Sequence, residues 1–132
     1  MVERKPGDHS GNRGVHVCLV AFSLAERARV STTSRGAARE RQVRDQLAGE
    51  DWLAFRAPAS LGCADVIALR NGRRPRLVEV KATAGGPYER FGPAARDRLR
   101  FAAGLAGADA YLCWWPPRGR PRWIAAREWP PS

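Results

Sequence analysis

Apolar and polar positions change period several times along the chain, and each change marks an element. From Gly36 to Ala48 the apolar positions Val43 and Leu47 stand four apart, which predicts a helix that stops at Gly49. Carried back along the same stripe, this spacing reaches Glu40 and Ala37, so a carboxylate lies on the inward side near the helix start. Trp52 to Arg56 reads as a strand ended by Ala57-Pro58, and Asp65 to Leu69 as a second. Leu77 to Lys81 is short, β-branched and alternating, and reads as a third. Gly92-Pro93 opens a helix to about Ala106, proline being acceptable in a first turn. Its stripe is Leu99, Ala102, Ala103 and Ala106, with Arg96, Arg98 and Arg100 mostly outside it. Ala110 to Trp115 is a strand stopped by Pro116-Pro117. Arg122 to Ala125 is a short edge strand, and the tail from Trp129 is irregular. Helix, three strands, helix, strand, short strand predicts an α/β fold: a mixed β-sheet flanked by helices.

Residues 1–33 lack this order and read as a flexible N-terminal extension to a domain of residues 34–132. Met1 to Arg13 is polar. Val15 to Ala25 is apolar but interrupted by His16 and Ser23, and it is too short to cross a bilayer. Arg4, Lys5 and Arg13 before it give a superficial likeness to a signal peptide, but no clean cleavage site follows. Ser31 to Ser34 offers several helix N-caps and marks a break.

Within the third strand, Glu79 and Lys81 share one face and Val78 and Val80 point into a core. Whether Asp65 joins Glu79 depends on the turn at Asn71-Gly72. A strict two-residue loop pairs Arg70 with Arg73 and sets Asp65 opposite Val78, on the wrong face. A three-residue loop, Arg70-Asn71-Gly72, pairs Leu69 with Arg73. Asp65 then lies opposite Leu77, diagonal to Glu79 and on its face. A shared site therefore requires an odd loop or a bulge, and Pro75 offers a second place for one. Trp114 and Trp115 alternate, so one is expected in the core. The other is expected outside, where with Tyr111 or Trp123 it could join a dimer interface.

Charge narrows the function. The 132 residues carry 23 Lys and Arg against 13 Asp and Glu, a net charge of +10. Arg predominates over Lys, which a GC-rich genome explains; the basic excess it does not explain. Arginine forks match phosphates, so the expected partner is a nucleic acid rather than a membrane. Three scattered cysteines argue against a disulfide framework or a zinc cluster and fit a reducing cytoplasm, in a cell or in a virus-infected prokaryotic host. His9 and His16 fall in the extension, and no Gly-rich phosphate loop appears.

Paired carboxylates on adjacent strand ends repel unless a cation joins them or one stays protonated. Oxygen-only ligands suit Mg²⁺, with Mn²⁺ as a substitute. Lys81 beside them can orient or activate a water and offset charge on a phosphorane-like transition state. The pattern favours metal-assisted phosphodiester hydrolysis over a triad. Glu40 has two readings, a third site carboxylate or a partner of the surface arginines Arg35, Arg39, Arg41 and Arg44.

Asp65 followed by Glu79-Val80-Lys81 resembles the PD-(D/E)XK nuclease motif, with Ala64 in place of its proline. Four segments recur in order: Arg35 to Arg41, Arg56 to Ser60, Ala64 to Leu69 with Asn71-Gly72, and Val78 to Lys81. Together, over about Ser34 to Ala125, they are similar to the archaeal-type Holliday junction resolvases. The resemblance implies a restriction-endonuclease-like fold and Mg²⁺-dependent cutting of four-way DNA junctions by a homodimer that presents two sites. It implies Glu40, Ser60, Asp65, Glu79 and Lys81 as catalytic. It also implies Asp65, Glu79, the Val80 carbonyl and Glu40 as metal ligands, and Arg35, Arg39, Arg56 and Ser60 as DNA contacts. The competing readings are another endonuclease of the same superfamily, of repair or restriction type, and a DNA-binding module without catalysis.

Overall fold

The structure is a computed structural model that describes residues 30–58 and 63–132, without the side chains of residues 30–35. The proposed extension and its apolar run, with His9, His16 and Cys18, lie outside the described residues. So does the loop 59–62 that holds Ser60. Arg35–Ser132 form one compact unit.

The elements are α1 (Val30–Gly49), β1 (Leu53–Arg56), β2 (Val66–Leu69), β3 (Arg76–Ala82), α2 (Pro93–Ala106), β4 (Asp109–Trp115) and β5 (Arg122–Ala125). A 3₁₀ turn, Ala126–Glu128, follows. Strand order in the sheet is β1-β2-β3-β4-β5. β3 and β4 run parallel, and every other neighbour pair is antiparallel. The mixed sheet flanked by two helices is the one the pattern predicted. Among the described residues no helix is long and apolar enough to cross a membrane.

Each helix buries one face of the sheet. Val43 and Leu47 of α1 pack with Trp52, Val66, Ala68, Val78, Val80 and Cys113. Leu99 and Ala103 of α2 pack with Leu77, Ala110, Leu112 and Ile124. Strands covered on both sides need apolar residues on both sides, so Leu77, Val78 and Val80 are all buried. This corrects the expectation for Trp114 and Trp115. Neither faces out: Trp114 packs against the α2 cluster and Trp115 against the α1 cluster.

Beyond one-residue shifts at strand ends, three features differ from expectation. First, α1 begins at Val30 and runs through Ser31–Ser34. Serine and threonine favour caps but cost only a few tenths of a kcal/mol inside a helix, and no proline is present to stop it. Second, the left-handed residue that closes α1 is Asp51 (φ 71°), not Gly49. Trp52 N–H donates to Leu47 C=O (3.0 Å) and Asp51 N–H to Ala48 C=O (3.2 Å). This is a Schellman closure with Trp52 and Leu47 as its apolar contact. Gly107 (φ 63°) closes α2 in the same way, with Ala108 N–H on Ala103 C=O (2.8 Å).

Third, Ala68 pairs with Arg76, which leaves residues 69–75, seven in all, between the paired positions. The loop is odd, as a shared site requires, but four residues longer than the hairpin expected. Gly72 is left-handed (φ 75°) and Arg73 N–H donates to Arg70 C=O (3.1 Å), so the turn chemistry is as read. The strand beyond it is drawn towards β4 instead. Pro75 C=O accepts from Asp109 N–H (2.8 Å), and Arg74 bonds the Asp109 carboxylate and Ala108 C=O.

Two residues outside the expected apolar stripes are buried. Arg96 is buried with Nη1 on Phe91 C=O (2.6 Å), fastening the start of α2. Trp129, in a tail that is irregular as expected, meets Phe91 edge-on (4.9 Å between ring centroids) and bonds Ile124 C=O through Nε1. Trp129→Ala is expected to cost about 3–5 kcal/mol, read as a fall in the chemical-denaturation midpoint. An unchanged midpoint would mean the tail is dispensable.

Candidate active site

The sheet has two ends, and strand directions place the carboxylates at one of them: the start of β2, the end of β3 and the end of β1. Val66 pairs with Val78, and one residue further the ladder opens at Asp65. Asp65 N–H still donates to Val78 C=O (2.9 Å), and its C=O accepts from Ala57 N–H (2.9 Å). Its side chain replaces the next rung: Oδ2 accepts from Val80 N–H at 2.8 Å. Asp65 is thus locked between β1 and β3, with its carboxylate tied to the residue between Glu79 and Lys81.

Glu79 and Lys81 lie on the α2 side of β3 with Leu77, and Lys81 Nζ sits 3.0 Å from Glu79 Oε2. Glu40 comes from α1, on the other side of the sheet. Its Oε1 accepts two bonds from Arg56, from Nη2 (2.9 Å) and Nε (3.1 Å). Although they arrive from opposite faces, the three carboxylates feel one another. Burial, then Asp65 and Glu79, push the Glu40 carboxyl up to about 7, against Lys81 and Arg41. Burial and then Asp65 push Glu79 up to about 7, against Lys81 and Arg98. Burial raises Asp65, while the Val80 N–H, Lys81 and Arg56 favour its charged form. Burial lowers Arg56, and Asp65 opposes the shift.

Raised carboxyls fix a pH dependence. In the unfolded chain Glu40 and Glu79 titrate near their ordinary 4.5, in the folded chain near 7. The folded state therefore binds more protons between these values, and stability falls as pH rises through that window. The metal-free protein is expected to melt highest near pH 5 and to lose several kcal/mol by pH 8. Saturating Mg²⁺ should flatten this fall, because ligation favours the ionised carboxylates. A melting temperature that rises from pH 5 to 8 without metal would contradict the arrangement.

The donor chemistry fits a hard divalent cation. Three half-buried carboxylates stand with two cations, Lys81 and Arg56; burial raises all three, and Asp65 adds to the rise at Glu40 and Glu79. They are not drawn into a cage: among the described residues no three His, Cys, Asp or Glu side chains stand close enough together to hold a metal ion. Their own cations hold them, Lys81 on Glu79 and Arg56 on Glu40.

The structure thus brings Glu40, Asp65, Glu79 and Lys81 together, with the Val80 backbone between them. The Arg35 side chain and Ser60 lie outside the described residues. Arg39 bonds Gln42 (3.1 Å), and its guanidinium lies 4.4 Å from the Trp115 ring centroid, beside the site. Arg56 has a side chain 11% exposed and bonds Glu40. Sequence reasoning also missed Arg98, which is exposed on α2 and acts on Glu79. The signal was available, because Arg98 follows Pro93 by little more than a turn and the helix start must return to the end of β3.

Comparison with known proteins bears on this site. The family described as archaeal Holliday junction resolvase matches residues 31–128. No curated protein matches the chain. Among solved structures, the Holliday junction resolvase of Archaeoglobus fulgidus, an archaeal hyperthermophile, is similar at 27% identity and a TM-score of 0.59. The match covers 70% of this chain and 74% of that one.

Proposed function

The chain belongs to the archaeal Holliday junction resolvase family, and from that premise we propose that it is a divalent-metal-dependent endonuclease that resolves four-way DNA junctions. The observation that carries this reading is the single charge field of Glu40, Asp65, Glu79 and Lys81 at one end of the sheet. Mg²⁺, or Mn²⁺ in its place, would be held by Asp65, Glu79, the Val80 carbonyl and Glu40. It would supply Lewis-acid polarisation of the phosphate and a water of lowered pKa. The rest falls to the chain. Asp65 cannot swing away, because Val80 N–H fixes its oxygen. Lys81 carries an ammonium to the face of Glu79, where it orients the attacking water and offsets charge on the scissile phosphate. Ser60, Arg35 and Arg39 position the strand through its phosphates.

Two paired cuts require two sites, so the working form is a homodimer in the cytoplasm. Its interface is expected among the exposed apolar residues: Leu53, Phe55 and Leu69 on one face of β1 and β2, and Phe101 and Leu105 on α2. Trp114, Trp115 and Trp123 are packed on the two cores and are not needed for it.

A synthetic four-way junction and a linear duplex of the same sequence, each incubated with Mg²⁺, test the reading. The junction should be cut in two opposing strands and the duplex left intact. Equal cutting of both, or cutting set by sequence, would make this another endonuclease of the superfamily. No cutting with Mg²⁺ or Mn²⁺ at any salt would leave a DNA-binding module.

A further inference from the structure

Arg56 has a more specific task than its place among the basic residues suggests. Two of its bonds fall on one oxygen of Glu40, Oε1. The ladder sets Arg56 opposite Val66, whose side chain is buried on the α1 side, one residue from Asp65. Arg56 therefore stands between a carboxylate from α1 and one from the start of β2. Its side chain is less exposed than that of Glu40, 11% against 23%. A phosphate contact needs an arginine open to the backbone of DNA. A guanidinium buried deeper than its partner, with two donors on one oxygen, is built to fix a carboxylate. Glu40 needs such a fixture, because it reaches the site from the far face of the sheet and is repelled by Asp65 and Glu79.

Resting on the nuclease reading above, we propose that Arg56 is a positioning residue: it holds the Glu40 carboxylate at the metal-binding end of the sheet and does not grip DNA. Removing the fork frees the carboxylate to turn away, and metal affinity falls while junction affinity does not. Residues that orient metal ligands typically contribute 10- to 100-fold in metal affinity or activity.

The test uses full-length protein and three measurements: Mn²⁺ binding by calorimetry without DNA, junction affinity in EDTA across a salt series, and single-turnover cleavage. Arg56→Gln is expected to weaken Mn²⁺ binding about tenfold or more and to slow cleavage in proportion. Junction affinity and its salt slope should be unchanged. Arg56→Lys keeps the charge without the planar two-nitrogen fork and should recover part of the loss. In a Glu40→Gln background, Arg56→Gln should add little, because the residue through which it acts is already gone. The double variant also leaves no unpaired buried charge, so it serves if Arg56→Gln alone fails to fold. Unchanged Mn²⁺ affinity with weaker junction binding and a salt slope reduced by about one would make Arg56 a phosphate contact and overturn the proposal. Additive losses in the cycle would overturn it as well. A parent that binds Mn²⁺ but cuts junction and duplex alike would remove the resolvase reading and leave this inference standing. A parent that binds no Mn²⁺ would remove both.

Discussion

Glu79→Gln protein is expected to bind a four-way junction as tightly as the parent and to cut it roughly 10³-fold more slowly. The substitution keeps size and one side-chain oxygen, replaces the other by an amide NH2, and removes one of the three charges that the site holds against repulsion. Lewis-acid stabilisation is worth several kcal/mol, and each 1.36 kcal/mol is about tenfold in rate. Binding should survive, because phosphates are met by the basic surface and not by a carboxylate. The folded protein should if anything gain stability at pH 8, because a carboxyl pushed up to about 7 is removed from a buried place. That gain separates a catalytic loss from a folding loss. Asp65→Asn is the companion: its side-chain oxygen can still accept from Val80 N–H, so the opening at the end of the ladder is kept. Asp65→Ala removes that acceptor and orphans the donor, which costs about 1–3 kcal/mol and confounds the reading. Near-parental cleavage by Glu79→Gln would place the chemistry elsewhere.

Where sequence reading succeeded and where it failed have the same physical root. Period and turn chemistry are local, so α2 was legible from Pro93 to Ala106, and Gly72 as the left-handed turn residue. The parity argument linking Asp65 to Glu79 was also legible, because one residue of slip moves a strand to its other face. The register itself was not. It depends on Pro75 and Arg74 being drawn to Asp109 and Ala108, a contact some thirty-five residues away. The burial of Arg96 needed knowledge of the Phe91 carbonyl it clamps, and the place of Trp129 needed the Phe91 ring. Glu40 shows the division within one residue. Its inward position follows from the spacing to Val43 and Leu47. Its partner Arg56 lies sixteen residues on and in another element, so periodicity left open whether the ion pair belonged to the surface or to the site. The partner is neither of the kinds weighed: Glu40 is ion-paired to Arg56 at the end of β1, not to the arginines named for its own helix face.

Junction affinity should fall about 10³-fold between 50 and 200 mM salt, and the fall should be set by arginines at one end of the sheet. The magnitude follows from counterion release: six or more neutralised phosphates give losses of this order over that range. The location follows from strand direction. β3 and β4 run in parallel towards the site, ending at Ala82 and Trp115. The turn to β5 therefore carries Arg118, Arg120 and Arg122 to the same end, all exposed. Arg41 and Arg98 act on the site carboxylates from the two helices. At the opposite end lie Arg73, Arg74 and Arg127, and Arg74 is already paired with Asp109 at 3.0 Å. Arg118→Gln with Arg120→Gln should reduce the slope of log affinity against log salt by about two. Arg73→Gln with Arg127→Gln removes the same formal charge and should leave the slope nearly unchanged. Net charge alone predicts equal effects from the two pairs. A matching loss in both would show that the +10 of the chain attracts DNA without orienting it. An effect confined to the first pair ties the binding surface to the end of the sheet where Asp65, Glu79 and Lys81 stand, as cutting at a bound junction requires.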